Sequence, residues 1–394
     1  MKVEPLLEEM VRRDASDLYL VAGAPATYRI MGKTEPMGEP LQPEDTKFLA
    51  FSLLSEKQQA EFLQKHEMNL SYSISQVGRF RVNCFFQRSS IGVVIRQIKF
   101  FIKSIDELGL PSNLKDIVMA KRGLVMVVGA SGSGKSTTLA AMIDHRNSNA
   151  SGHIITIEDP IEFIYAHKRS IVTQRELSLD TESYGEALKN VFRQAPDVIL
   201  VGEIRDRETM ESALAFADTG HLCLSTLHGT NANQAIERII TFFPASQQDQ
   251  IHLLLSLNLK AVVSQRLVPC IDGKRIAAME ILLGTARVRD LILKKEIDLL
   301  KDTMARGTQE GMQTFDQAIL ELFKKGLITI ETAVAYADSP NDLRLKIKME
   351  GLLKEPEKKV PALKLRKSTE PPPESTEKAK KGEGKKTEVE GEVS

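Results

Sequence analysis

Gly129-Ala130-Ser131-Gly132-Ser133-Gly134-Lys135-Ser136-Thr137 is a complete phosphate-binding loop of the GxxxxGKS type, and it follows directly on the apolar run Leu124 to Val128. The run reads as a buried parallel strand and the stretch after the loop, TTLAAM over 137–142, as a helix. Glycines are required because the backbone must turn sharply and aim successive amides at phosphate oxygens, an approach that a Cβ obstructs. Lys135 adds a point charge for the outer phosphates and Ser136 a hydroxyl for Mg2+, while the helix directs its positive dipole end at the same anion. This spacing predicts a site for ATP with Mg2+, in which residues 129–137 bind the nucleotide.

Downstream, β-branched runs alternate with helical patterns. Strands are predicted at 124–128, 153–157, 198–201 and 221–226, with helices at 136–146, 184–194 and 207–219; helices then dominate to about residue 350. Such alternation specifies an α/β fold with a mainly parallel sheet covered by helices on both faces. Upstream, a short amphipathic helix (3–12), extended pieces at 18–22 and 26–31, a polar helix at 45–66 and a meander at 69–75, 79–87 and 91–99 predict a small α+β domain. The expected organisation is an N-terminal domain over 1–102, a linker over 103–122, a nucleotide domain over 123–350 and a charged tail over 351–394. The tail is rich in Lys, Glu, Pro and Ser, includes Pro371 to Pro373, and buries too little apolar surface to offset its ordering entropy, so disorder is expected there.

The 394 residues exceed a typical single domain. Lys plus Arg and Asp plus Glu each total 53, so no global basic field recommends direct nucleic-acid binding. Cys84, Cys223 and Cys270 lack CxxC spacing and support neither a disulfide framework nor a tetrathiolate zinc site, which suits small thiols in a reducing cytosol. No run approaches the roughly 20 apolar residues of a membrane span, so none is expected.

Hydrolysis needs carboxylates near the phosphates. The strand Val198–Val201 ends in Gly202-Glu203, which delivers a carboxylate to the carboxyl end of a central strand, where a metal ligand or water-polarising group belongs. Such a strand commonly ends in Asp; here Gly202 holds that position, and the metal and water role falls to Glu203, together with Ser136 for Mg2+. A second strand, 154–157, ends in Glu158-Asp159-Pro160-Ile161-Glu162 and makes Glu158 the candidate catalytic base, although Asp-Pro is also a turn initiator. Third, His221 and His228 bracket a strand. A lone histidine is more often structural, but His228 lies at the end that opens toward the loops, placed to sense a γ-phosphate or hold a catalytic carboxylate, whereas His221 lies at the opposite end. A leaving phosphoryl group needs positive charge, often from a neighbouring subunit. Arg79, Arg81 and Arg96 fall on predicted strands of the small domain, where any single one reads equally well as a solvated charge; Arg205 and Arg207 flank Glu203 as candidate contacts between domains or subunits.

The ordered set GASGSGKSTTLAAMID (129–144), ITIEDPIEF (155–163), PDVILVGEIRDRET (196–209), TGHLCLSTLHGTNA (219–232) and VVSQRLV (262–268) resembles the type II/IV secretion ATPase superfamily, and within it the twitching-motility retraction ATPases of type IV pili. The resemblance covers residues 1 to about 345. It implies a PAS-like N-terminal domain and a RecA-like ATPase domain in a ring homo-hexamer, with ATP between the domains driving rotation against an inner-membrane pilus platform protein. It makes 129–136 the Walker A motif, 158–162 the aspartate box, Glu203 part of Walker B, and His221 and His228 part of a histidine box. Arg81 and Arg96 match N-terminal positions implied to serve as arginine fingers.

Two departures are informative. The AIRNLI segment of the main retraction form corresponds here to Ala286-Arg287-Val288-Arg289-Asp290-Leu291-Ile292, keeping Arg289 but replacing Asn by Asp290; the charged tail is extra. Both fit the family's accessory paralogue better than its main form. A four-cysteine metal subdomain, found in extension-type relatives, is absent from the sequence. The resemblance therefore implies a cytoplasmic motor, peripheral at the inner-membrane base of the pilus, that powers or assists retraction together with a paralogous retraction ATPase. A secretion or DNA-uptake ATPase, or a nucleotide-binding scaffold for a partner motor, are the alternatives.

Overall fold

The computed structural model describes residues 2–98 and 101–352. The tail expected to be disordered lies, beyond Leu352, outside the described residues. Two sheets, each burying its own core, make up a compact unit that ends at Leu352.

The N-terminal sheet contains β1 (Asp17–Leu20), β2 (Ala26–Ile30), β3 (Lys33–Met37), β4 (Glu67–Ile74), β5 (Gly78–Gln87) and β6 (Ser90–Ile98), in the antiparallel order β3-β2-β1-β6-β5-β4. Along β5, Phe80, Val82 and Cys84 are buried, while Arg79, Arg81 and Asn83 point the other way, as a period of two requires. The polar helix expected over 45–66 is two helices, Pro43–Leu53 and Glu56–Lys65. Ser55 causes the break: its Oγ accepts from the Gln58 amide at 3.4 Å while Gln58 Oε1 accepts from the Ser55 amide at 3.0 Å, a reciprocal cap that starts a new helix. The strand Lys33–Met37, almost wholly polar and exposed, gave no period-two signal.

The second sheet is built from β7 (Gly123–Val128), β8 (Gly152–Glu158), β9 (Ser170–Glu176), β10 (Val198–Val201), β11 (Leu222–Leu227), β12 (Leu259–Pro269) and β13 (Arg275–Leu283), in the order β13-β12-β7-β11-β10-β8-β9. All neighbours pair in parallel except β12 with β13. Helices do not simply dominate after residue 226, because β12 and β13 add two strands to the sheet. Leu124, Met126 and Val128 of β7 join one buried cluster with the helices Arg207–Asp218 and Ala232–Thr241, while Val125 and Val127 join another with the helix Lys135–Asn149. A strand covered on both faces reads as an uninterrupted apolar run, which is why GLVMVV carries no alternation. The carboxyl ends of β7, β8, β10 and β11 thus open on one edge, where loops carrying polar side chains converge.

Candidate active site

A cleft of about 540 Å³ lies at this edge. The loop after β7 forms its floor. Gly132 and Gly134 have φ of +75° and +89°, a region that favours glycine. At Gly129, where no positive φ occurs, a Cβ would lie 2.7 Å from the Gln265 carbonyl and still nearer the Ser133 hydroxyl, so close approach sets the requirement. Lys135 donates from Nζ to the Gly129 and Ala130 carbonyls at 2.9 and 3.0 Å, and burial lowers its pKa against the opposing pull of Glu203 and Glu162. Ser131, Gly132, Gly134, Lys135, Ser136 and Thr137 line the cleft, whereas Gly129, Ala130 and Ser133 shape the loop behind them.

Gln265, not singled out by sequence reasoning, braces this loop from β12. Its Nε2 donates to the Ser133 carbonyl at 2.7 Å, and its Oε1 accepts from Thr138 Oγ1 at 2.7 Å. The signal was a glutamine inside the apolar run VVSQRLV, since a polar group buried in such a strand must find partners. The next residue, Arg266, leaves from the opposite face: its guanidinium stacks 3.8 Å from the centre of the Phe315 ring and pairs with Asp338 at 2.7 Å.

Glu158 ends β8. Its Oε1 accepts from Thr156 Oγ1 at 2.7 Å and from Gln174 Nε2 at 3.4 Å, and burial pushes its pKa up to about 7. A carboxyl poised there exchanges protons with water near neutrality, as a general base must. Glu203, two residues past β10, has a neighbour at each oxygen: Arg205 Nε donates to Oε2 at 2.5 Å, and His228 Nε2 lies 2.7 Å from Oε1. The latter approach is not aligned as a hydrogen bond, which leaves Oε1 buried and unpartnered. Gly202 precedes Glu203 because β10 packs tightly on the end of β8; a Cβ there would come within 3.2 Å of the Ile157 carbonyl, Glu158 Cα and the Tyr184 hydroxyl. Any side chain at this strand end, Asp included, would need its neighbours to give by a few tenths of an ångström. Arg205 also reaches Asp159 at 3.7 Å and so spans the two acidic clusters.

The structure brings Glu158, Glu203 and His228 to the cleft with the phosphate loop. His221 is elsewhere, its Nδ1 near Thr219 and Phe216 at the opposite end of β11. Neither Arg81 nor Arg96 lines the cleft of its own chain; they pair across β5 and β6, with Arg96 Nε donating to Asp17 Oδ1 at 2.8 Å. Asp290 is taken up on its own helix by Arg287 at 3.3 Å and Lys294 at 3.0 Å. For Mg2+, the Ser136 hydroxyl and the unpartnered Glu203 oxygen are hard donors of the right kind. Among the described residues no cluster of three His, Cys, Asp or Glu side chains makes a metal site by itself, so phosphate oxygens would have to complete the set.

The family model described as type II/IV secretion system protein matches residues 2–339. The chain belongs to the type II/IV secretion family. This secretion-family chain is 54% identical over 351 residues to the type IV pilus ATPase PilU of Pseudomonas aeruginosa, covering 89% of the chain and 92% of that protein. To the type IV pilus retraction ATPase PilT of the same organism it is 40% identical, covering 87% of the chain and 100% of PilT. The crystal structure of the pilus retraction motor PilT with bound ADP matches with a TM-score of 0.82 at 42% identity, over 88% of this chain and 99% of that one. DotB of Legionella pneumophila, at 24% identity and a TM-score of 0.70, shares the fold. The secretion-family chain is accordingly a nucleotide-binding ATP hydrolase with a PAS-like α+β sheet followed by a RecA-like one. Among the described residues, no helix is long and apolar enough to cross a membrane.

Proposed function

We propose that this ATPase works as a homo-hexameric motor that powers or assists type IV pilus retraction and twitching motility, alongside a paralogous retraction ATPase. The 54% identity to PilU over 89% of the chain carries the reading. Its place would be the cytoplasmic side of the inner-membrane base of the pilus, acting on the platform protein. Lys135 and the loop amides hold the triphosphate, and Ser136 and Glu203 would hold Mg2+, which neutralises charge on the phosphate oxygens. Glu158 takes the proton of the attacking water, and His228 and Arg205 fix the Glu203 carboxylate. Residues 1–102 move as a domain through the 103–122 segment, and Arg81 and Arg96 supply positive charge to a nucleotide when that sheet closes on a cleft.

The test is pilus retraction and surface motility in a strain lacking this chain. Retraction should be lost or weakened, recovered with the wild-type chain and not with Lys135→Ala. Normal motility in the deletion strain, with secretion or DNA uptake lost instead, overturns the assignment in favour of another role within the family.

A further inference from the structure

The strand Ser170–Glu176 has one face whose residues belong to neither the phosphate loop nor the acidic boxes. Gln174 and Glu176 lie two residues apart and so project from the same side. In register on β8 opposite them are Thr156 and Glu158. Gln174 holds this corner from three directions: its Nε2 donates to Glu158 Oε1 at 3.4 Å and to the Phe163 carbonyl at 2.8 Å, and its Oε1 accepts from the Tyr165 amide at 2.9 Å. The Leu177 amide, one residue past the strand, donates to the Glu158 carbonyl at 2.9 Å. The strand thus grips both the side chain and the backbone of Glu158.

Glu176 carries the other end of this grip. Its residue is 5% exposed, and its Oε2 makes no hydrogen bond. Facing it at 3.6 Å is Arg79 Nη2 from β5 of the N-terminal sheet, whose Nε is also buried and unpartnered. Arg81 lies two residues further along the same outward face of β5 and adds to the positive field on Glu176, while Asp180 opposes it. A buried carboxylate and a half-buried guanidinium, each with an atom short of a hydrogen bond and separated by little more than bonding distance, form a contact that a small shift of one sheet completes or breaks.

We propose that β9 couples the N-terminal sheet to the hydrolytic carboxylate: Arg79 engaging Glu176 fixes the strand from which Gln174 holds Glu158, so Glu176 is a positioning residue for water activation. The proposal rests on Glu158 being the base. In it, movement of the N-terminal sheet is felt at Glu158 within one chain, through side chains on a single strand face.

Steady-state hydrolysis by the full chain tests it, comparing Arg79→Gln, Glu176→Gln and the double variant, with Glu158→Gln as reference. Each single variant should lower kcat roughly ten- to a hundredfold and shift the acidic limb of the pH–rate profile, with KM for ATP within about twofold of the parent. The double variant should be no worse than the worse single one. Unchanged kcat and pH profile in both single variants, or losses that multiply in the double, overturn the coupling. If Glu176→Gln does not fold, Arg79→Gln decides, because its side chain is 26% exposed at the rim. Full hydrolysis by Glu158→Gln overturns the base assignment itself, whereas loss there beside an unchanged Glu176→Gln overturns only the coupling.

Discussion

Glu158 combines a functional position with a thermodynamic penalty. Its folded-state pKa is raised from 4.5 to about 7, so its burial costs nothing where the carboxyl is protonated in both states, below about pH 4.5, and destabilises increasingly as pH rises toward 7. Glu158→Gln keeps the acceptor for Thr156 and removes the charge. The variant should lose about 10²- to 10⁴-fold in hydrolysis yet be more stable than the parent at pH 8, by up to about 3 kcal/mol, with the gain vanishing near pH 4.5. Thermal unfolding at the two pH values, beside a phosphate-release assay, checks both halves; a variant destabilised at pH 8 contradicts the cause given for the shift. Both catalytic candidates were legible as residues because a strand followed by acids announces itself. Their partners were only partly so: His228 read as holding a carboxylate and Arg205 as a contact between domains or subunits, whereas Gln174 at Glu158 and the reach of Arg205 to Asp159 depend on distances that only folding creates.

At the scale of elements, β12 decides how firmly the phosphate loop is held. Gln265→Ala leaves the Ser133 carbonyl and the Thr138 hydroxyl without their partner, at a cost of about 1–3 kcal/mol in stability. We expect ATP affinity to fall roughly tenfold, equivalent to about 1.4 kcal/mol, measured by nucleotide titration and urea unfolding. Unaltered affinity would mean that the loop holds its shape without the brace. The strands that sequence patterning missed share a physical cause. Ser170–Glu176 buries a mixed face of Ser170, Val172 and Glu176 and exposes Ile171, so neither face is uniformly apolar, and Leu259–Pro269 follows the helix Ala245–Asn258 through LLLSLNLKAVV, where no break in apolar residues marks the change of period. Strand Gly123–Val128 and its loop were legible because run, glycines and helix agree with one another.

For the whole molecule, a ring predicts behaviour that a monomeric enzyme does not show. If hydrolysis in one subunit depends on its neighbours, mixing Lys135→Ala chains into wild-type ones should depress activity below the proportion of active chains. A strictly linear dilution, measured after subunit exchange, would mean that each cleft works alone. The two-sheet architecture was readable in advance as alternation upstream and downstream of residue 123; that the second sheet runs to seven strands was not, since its edge members β9 and β13 carry mixed polar and apolar faces and β12 follows a helix without a break in apolar residues.

Gln265 and Arg266 are consecutive on one strand, so their grips on the phosphate loop and on the C-terminal helices are a single rigid see-saw with its fulcrum in the backbone of β12. A shift of that backbone would be felt both at the phosphate loop and at Phe315, Tyr336 and Asp338, where Arg266 is seated. Loosening Arg266 by Phe315→Ala should therefore weaken ATP binding without any change in the phosphate loop itself.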